Sequence, residues 1–286
     1  MKVLNSKNIA FIISIVVITG CAQNNAITKN NDENDTIPVP DGWELIWNDE
    51  FDGDTIDFDK WEHEVNAHGG GNNELQYYTY LSQNSQVKDG LLIIQALKET
   101  FTGPEGTREY TSARLRTKNR GDWKYGRFEI KAKLPYGQGL WPAIWMLPTD
   151  WVYGGWAASG EIDIMELIGH DPATVYGTLH YGGAYPDNVH TGVSYKLGFG
   201  NFAMDFHVFA LEWDATEIRW YVDDSLYQVQ KEWYSQGNAY PAPFNQRFHI
   251  LLNVAVGGNW PGNPDNTTPF PQRMEIDYVR VYQKTD

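Results

Sequence analysis

A chain of 286 residues with a formal net charge of −15 has no electrostatic reason to bind nucleic acid or an anionic membrane surface, and heavily sulfated polysaccharides are disfavoured on the same ground. Hydrophobic residues make up 42%, enough for a sizeable core, while aromatics reach 14%, with 12 Trp and 17 Tyr. So many rings imply that some line a ligand cleft as well as the core, because a ring combines an apolar face with a polar edge.

Residues 1–20 read as a signal peptide. Lys2 and Lys7 supply the positive start, and Ile9 to Ile18 is an apolar run shorter than the roughly 20 residues a helical span takes. Ile18-Thr19-Gly20-Cys21 resembles a bacterial lipoprotein box, so Cys21 is expected to become a lipidated N-terminus. It is the only cysteine, which leaves it no disulfide partner. Residues 21–40, rich in Asn, Asp and Thr and ending in Pro38 and Pro40, read as a disordered tether. This predicts secretion across the inner membrane and anchoring at the outer membrane or cell surface, with the lipid as the sole membrane contact.

From residue 41 to residue 286 no internal repeat is visible, and a single domain is expected. Val87 to Lys98 predicts two short strands around the Asp89-Gly90 turn, and Ser112 to Lys118 another. Lys124 to Leu134 alternates: Phe128, Ile130, Ala132 and Leu134 share one face, and Arg127, Glu129, Lys131 and Lys133 the other. Trp141 to Leu147, Glu161 to Ile168 and Thr174 to His180 follow. Phe206 to Trp213 and Glu217 to Val222 predict a hairpin joined at Asp214-Ala215-Thr216. Phe248 to Val256 and Met274 to Tyr282 close the chain. Pro142 suggests that its segment lies near an edge or an irregular stretch. The stretches 150–159 and 185–201 are expected to be loops. With many short strands, turns rich in Gly and Pro, and no amphipathic helix of useful length, the pattern predicts an all-β sandwich.

The chemistry concentrates in Gly160-Glu161-Ile162-Asp163-Ile164-Met165-Glu166-Leu167. In a regular strand Glu161 and Asp163 share a face and Glu166 points the other way. One extra residue bulging out near Ile164-Met165 returns Glu166 to their side. Three carboxylates then repel one another, which raises at least one pKa. Glycosidic bond cleavage uses such a pair: one carboxylate attacks the sugar carbon while a protonated one donates to the leaving oxygen, at a separation of about 5–5.5 Å for retention. Three acids in a strand also suit a solvated surface or a calcium site, but the flanking Ile162, Ile164, Met165 and Leu167 are too apolar for a solvated edge.

Glu-Ile-Asp-Ile-Met-Glu resembles the bulged signature of glycoside hydrolase family 16. Together with Trp141-Pro142-Ala143-Ile144-Trp145-Met146-Leu147-Pro148 and Leu167-Ile168-Gly169, it is similar to the laminarinase (endo-1,3-β-glucanase) branch. The similarity runs from Trp43 to Tyr282. It implies a β-sandwich of jelly-roll type with a concave cleft, and Glu161 as nucleophile, Glu166 as general acid/base and Asp163 as the residue tuning both. It implies substrate-binding roles for Trp141, Trp145, Arg114, Asn73, His180 and Trp260. It implies no cofactor for catalysis but a structural calcium on the convex face, matched by Glu50, Gly90 and Asp277. The expected activity is endo-acting, retaining hydrolysis of β-1,3-glucan by a monomer, extending to mixed-linkage β-1,3-1,4-glucan. The rivals are an agarase- or carrageenase-type galactan hydrolase and a non-catalytic glycan-binding lipoprotein. A binder would keep the tryptophans and have no use for both glutamates.

Overall fold

Phe128, Ile130, Ala132 and Leu134 sit between two sheets at 2% exposure or less, so the alternation in the sequence is a burial pattern. The computed structural model describes residues 37–285. The expected signal peptide, Cys21 and most of the expected tether therefore lie outside the described residues.

In chain order the strands begin with β1 (Trp43–Asp49), β2 (Glu62–His63), β3 (Gln76–Tyr78), β4 (Ser85–Lys88), β5 (Leu91–Ala96), β6 (Phe101–Gly103) and β7 (Gly106–Arg108). They continue with β8 (Tyr110–Ser112), β9 (Arg114–Arg116), β10 (Asp122–Trp123), β11 (Gly126–Lys133), β12 (Leu140–Pro148) and β13 (Glu161–Glu166). The last seven are β14 (Thr174–Gly182), β15 (Asn188–Lys196), β16 (His207–Trp213), β17 (Ile218–Val222), β18 (Ser225–Gln230), β19 (Phe248–Val256) and β20 (Gln272–Lys284). Among the described residues the only helical turn is a three-residue one at Gly69–Gly71.

Two eight-stranded sheets form the sandwich. One runs β18-β17-β16-β11-β20-β5-β4 with β1 also paired to β20; the other runs β15-β14-β13-β12-β19-β9-β2 with β10 also paired to β19. The core between them includes the fully buried Trp61, Trp213 and Trp220 together with Phe128, Phe202, Phe209, Phe244 and Phe248. The charged face of β11 is half-buried too, and its charges are paired. Arg127 bridges Glu129 and Glu212 at 2.7 Å each, Lys131 meets Asp277 at 2.9 Å, and Lys133 meets Glu275 at 2.6 Å.

Two expectations need correction, and one strand was not expected. Residues 188–196 form a nine-residue strand at the edge of the second sheet, not part of a loop. Most of that strand is exposed, so neither of its faces shows a burial period in the sequence. Ser225–Gln230 is an edge strand of the first sheet, and it too carries little apolar signal. Pro142 lies inside β12, which is central, between β13 and β19. Its carbonyl accepts from Leu167 N at 3.2 Å, just past the last residue of β13. A residue's N and O point to the same side of an antiparallel strand, so the missing donor faces the place where β13 runs out.

Candidate active site

The bulge in β13 is written in the pairing. Between Asp163 and Glu166 the chain advances three residues while β14 advances two, from Thr178 to Tyr176. On the other side Asp163 and Met165 pair with the consecutive Trp145 and Ile144. One residue is surplus, as the three acids and their apolar neighbours suggested. Ile162, Ile164 and Met165 all enter the core, at 3% exposure or less, so Glu161, Asp163 and Glu166 are left on the opposite, concave face.

Two features hold this irregularity in place. The carbonyl of Asp163 accepts a 2.8 Å hydrogen bond from the buried indole Nε1 of Trp220, which reaches across from β17. It gets there past Gly177, where a Cβ would stand 2.5 Å from the Trp220 ring. At the start of the strand Gly160 has φ +84°, and a Cβ there would meet the Phe244 ring at 2.8 Å.

Above the acids lies a cleft of about 1130 Å³ that crosses the sheet strand by strand. On the β14–β15 side it is walled by Tyr176, Thr178, His180, His190 and Val193, and on the β19–β9 side by Asn253 and Arg114. Trp156 Nε1 donates to Glu161 Oε2 and Trp141 Nε1 donates to Glu166 Oε1, both at 2.9 Å. His180 Nε2 lies 3.6 Å from Glu161 Oε1 and 3.2 Å from Asp163 Oδ2. Burial is the main force on all three acids and pushes each up to about 8. The charge of Asp163 pushes Glu161 and Glu166 in the same direction, while His180 and the two indole N–H groups oppose it.

The structure brings most of the expected site residues together. Trp141, Trp145, Arg114, His180 and Trp260 all line the cleft with Glu161 and Glu166, and Asp163 lies beneath, 2% exposed. Trp141 and Trp260 meet edge to face at 5.5 Å, and Trp260 meets Tyr176 at 5.0 Å. Trp145 is oriented by its 2.7 Å bond to Asn253. Arg114 is a wall more than a free hand: it is 8% exposed, bonds Glu64 at 3.2 Å and Tyr78 Oη at 3.3 Å, and packs over the Tyr78 ring. Asn73 lies off the cleft wall and donates to Asn259 at 2.9 Å; its neighbour Asn72 lines the cleft instead.

Glu50 follows β1, Gly90 precedes β5 and Asp277 lies in β20, along one edge of which β1 and β5 pair in succession, Asp49 against Val279 and Leu92 against Ile276. Arg280 forks the Glu50 carboxylate at 2.9 and 2.8 Å, and Lys131 holds Asp277 at 2.9 Å.

The sequence reading did not single out Glu74, Trp156, Tyr176, His190 or Asn253, all of which line the cleft. Trp156 stood in a stretch expected to be a loop. The others carry no local signal, because only strand pairing brings them beside the acids.

A sandwich that opens one sheet into a trough and puts acids at its floor is built to act on a polar, chain-shaped ligand, which is the class of the glycoside hydrolases. The comparisons make this specific. Residues 73–280 match the model for glycosyl hydrolases family 16, and the chain belongs to that family. A β-glucanase of Rhodothermus marinus is 44% identical over 288 residues, covering 96% of this chain and 93% of that protein. Glucan endo-1,3-β-glucosidase A1 of Niallia circulans is 43% identical over 266 residues; the match covers 87% of this chain and spans 39% of that longer protein. Among solved structures, the catalytic domain of an endo-1,3-β-glucanase (laminarinase) from Thermotoga petrophila superimposes with a TM-score of 0.77 at 45% identity. That match covers 85% of this chain and 99% of the other.

Proposed function

We propose that the protein is an endo-acting β-1,3-glucanase that cleaves by double displacement with retention, and that mixed-linkage β-1,3-1,4-glucan is a second substrate. The observation that carries this reading is the pair of glutamates on one face of the bulged strand, each with one oxygen fixed by an indole N–H at 2.9 Å. Glu161 attacks the anomeric carbon as the carboxylate. The Trp156 N–H and the nearby imidazole of His180 oppose the burial that raises its pKa. Glu166, which burial favours in the protonated form, gives its proton to the glycosidic oxygen as the bond breaks. It then takes a proton from the water that releases the sugar from Glu161. Asp163, kept neutral by burial, spares Glu161 a second full charge at its side.

The cleft favours a neutral glucan over a charged galactan. Its one arginine, Arg114, is already engaged with Glu64 and Tyr78 and lies 3.8 Å from Glu74. A binding protein would have no use for both glutamates at the floor of the cleft. Reducing-sugar release from laminarin, lichenan, agarose and carrageenan separates these readings, and the anomeric configuration of the first product tests retention. Glu161→Gln and Glu166→Gln are expected to fold normally and lose nearly all turnover on laminarin. Either variant turning over at the wild-type rate overturns the assignment.

Two further features belong to the same reading. Cys21, as the lipidated first residue, would hold the enzyme at the membrane surface through its tether, and Cys21→Ser is expected to release it into the soluble fraction. The Glu50, Gly90 and Asp277 group would hold a structural calcium, which takes no part in the chemistry.

A further inference from the structure

Glu161, Asp163 and His180 converge at the floor of the cleft. Trp156 holds Glu161 by Oε2 and leaves Oε1 turned toward the imidazole. Asp163 Oδ2 is buried and has no hydrogen-bond partner, although it lies 3.2 Å from His180 Nε2. The three candidate donor atoms all lie within 4.8 Å of one another.

We propose that these three side chains form a binding site for a divalent transition-metal cation of the zinc type, and that the bound cation blocks the floor of the cleft. A tetrahedral ion with bonds of about 2.0–2.1 Å sets neighbouring ligand atoms about 3.3–3.4 Å apart. The distances from His180 Nε2, 3.2 Å to Asp163 and 3.6 Å to Glu161, bracket that value. The orphaned Asp163 oxygen gains the partner it lacks. One imidazole and two carboxylates give three protein ligands of types that zinc accepts, with the fourth position facing the cleft. Calcium and magnesium, which want six or more oxygens, are poorly served by three donors of which one is nitrogen.

The same geometry limits the affinity. A metal-bound imidazole ordinarily donates its other N–H to an acceptor, and His180 Nδ1 is buried without one. The cation therefore acts as a reversible occupant of the cleft and not as a resident cofactor. Only the inhibition arm of the proposal rests on the hydrolase reading; metal binding is measured on the protein itself.

The test titrates Co2+ into the full chain, follows the visible absorption of tetrahedral Co2+, and displaces it with Zn2+. His180→Phe, which keeps a ring between Trp156 and His190, and Asp163→Asn are each expected to weaken binding by at least about 10-fold. Cys21→Ser and His207→Ala, which remove a thiol and an imidazole outside the cleft, are expected to leave it unchanged. In the second arm, Zn2+ raises the apparent KM for laminarin and leaves kcat alone. Absence of the Co2+ band, or equal binding by His180→Phe, Asp163→Asn and the wild type, overturns the site even where laminarin is hydrolysed. A Co2+ band lost in both variants upholds it even where laminarin is not a substrate.

Discussion

Asp163→Asn is expected to make the protein more stable and less active, with a gain that depends on pH in a defined way. Asp163 is 2% exposed, and burial alone raises its pKa from 3.8 to about 8. Below pH 3.8 the group is protonated in both folded and unfolded chains, and its burial carries no ionisation cost. Between 3.8 and about 8 the unfolded chain ionises and the folded one resists, so wild-type stability is lost progressively across that window. At pH 7 the gap from 3.8, at 1.36 kcal/mol per pH unit, sets a ceiling of about 4 kcal/mol. Asparagine escapes this cost but brings an amide that needs partners of its own, so about half the ceiling is expected. At about 2–4 °C per kcal/mol for a domain of this size, that is a Tm gain of about 4–8 °C at pH 7 and almost none at pH 3.5. Urea or thermal unfolding of both proteins from pH 3.5 to 8.5 measures it. A difference that stays flat with pH, or a variant that loses ground as pH rises, refutes the account of Asp163 as a buried neutral acid. Activity supplies a second reading: without the Asp163 charge, Glu161 and Glu166 are less raised, so the alkaline limb of kcat/KM moves to lower pH.

Trp141→Phe removes the N–H that opposes the upward shift of Glu166. It should lower kcat and move the alkaline limb to higher pH, the reverse of Asp163→Asn; a pH–rate profile decides. Trp220→Phe leaves the Asp163 carbonyl without its donor. It should cost about 1–3 kcal/mol in urea unfolding and lower kcat more than it changes KM, whereas unaltered turnover would show that the bulge holds without it. Calcium at about 100 times its Kd should raise Tm by about 5–10 °C over the chelated protein, corresponding to about 2.7 kcal/mol. Equal Tm values with calcium and with chelator would remove the convex-face site.

The sequence alone determined the strands whose residues face two different solvents. Phe128 to Leu134 and the run from Glu161 to Leu167 were legible because one face is core and the other is not, and that contrast is local. It even disclosed the bulge, since Glu166 reaches the face of Glu161 only if one residue is surplus. Tertiary structure decided everything that depends on which strand lies beside which. Asn188–Lys196 became a strand through its neighbour β14, not through any pattern of its own. Pro142 is tolerated in a central strand because β13 ends beside it. Trp220, Trp156 and His180 hold the acids from distant or irregular parts of the chain. The raised pKa values belong to the assembled cleft as well, because desolvation requires the whole sandwich to exclude water. The identities of the acids are thus a property of a few consecutive residues, and their protonation a property of the fold.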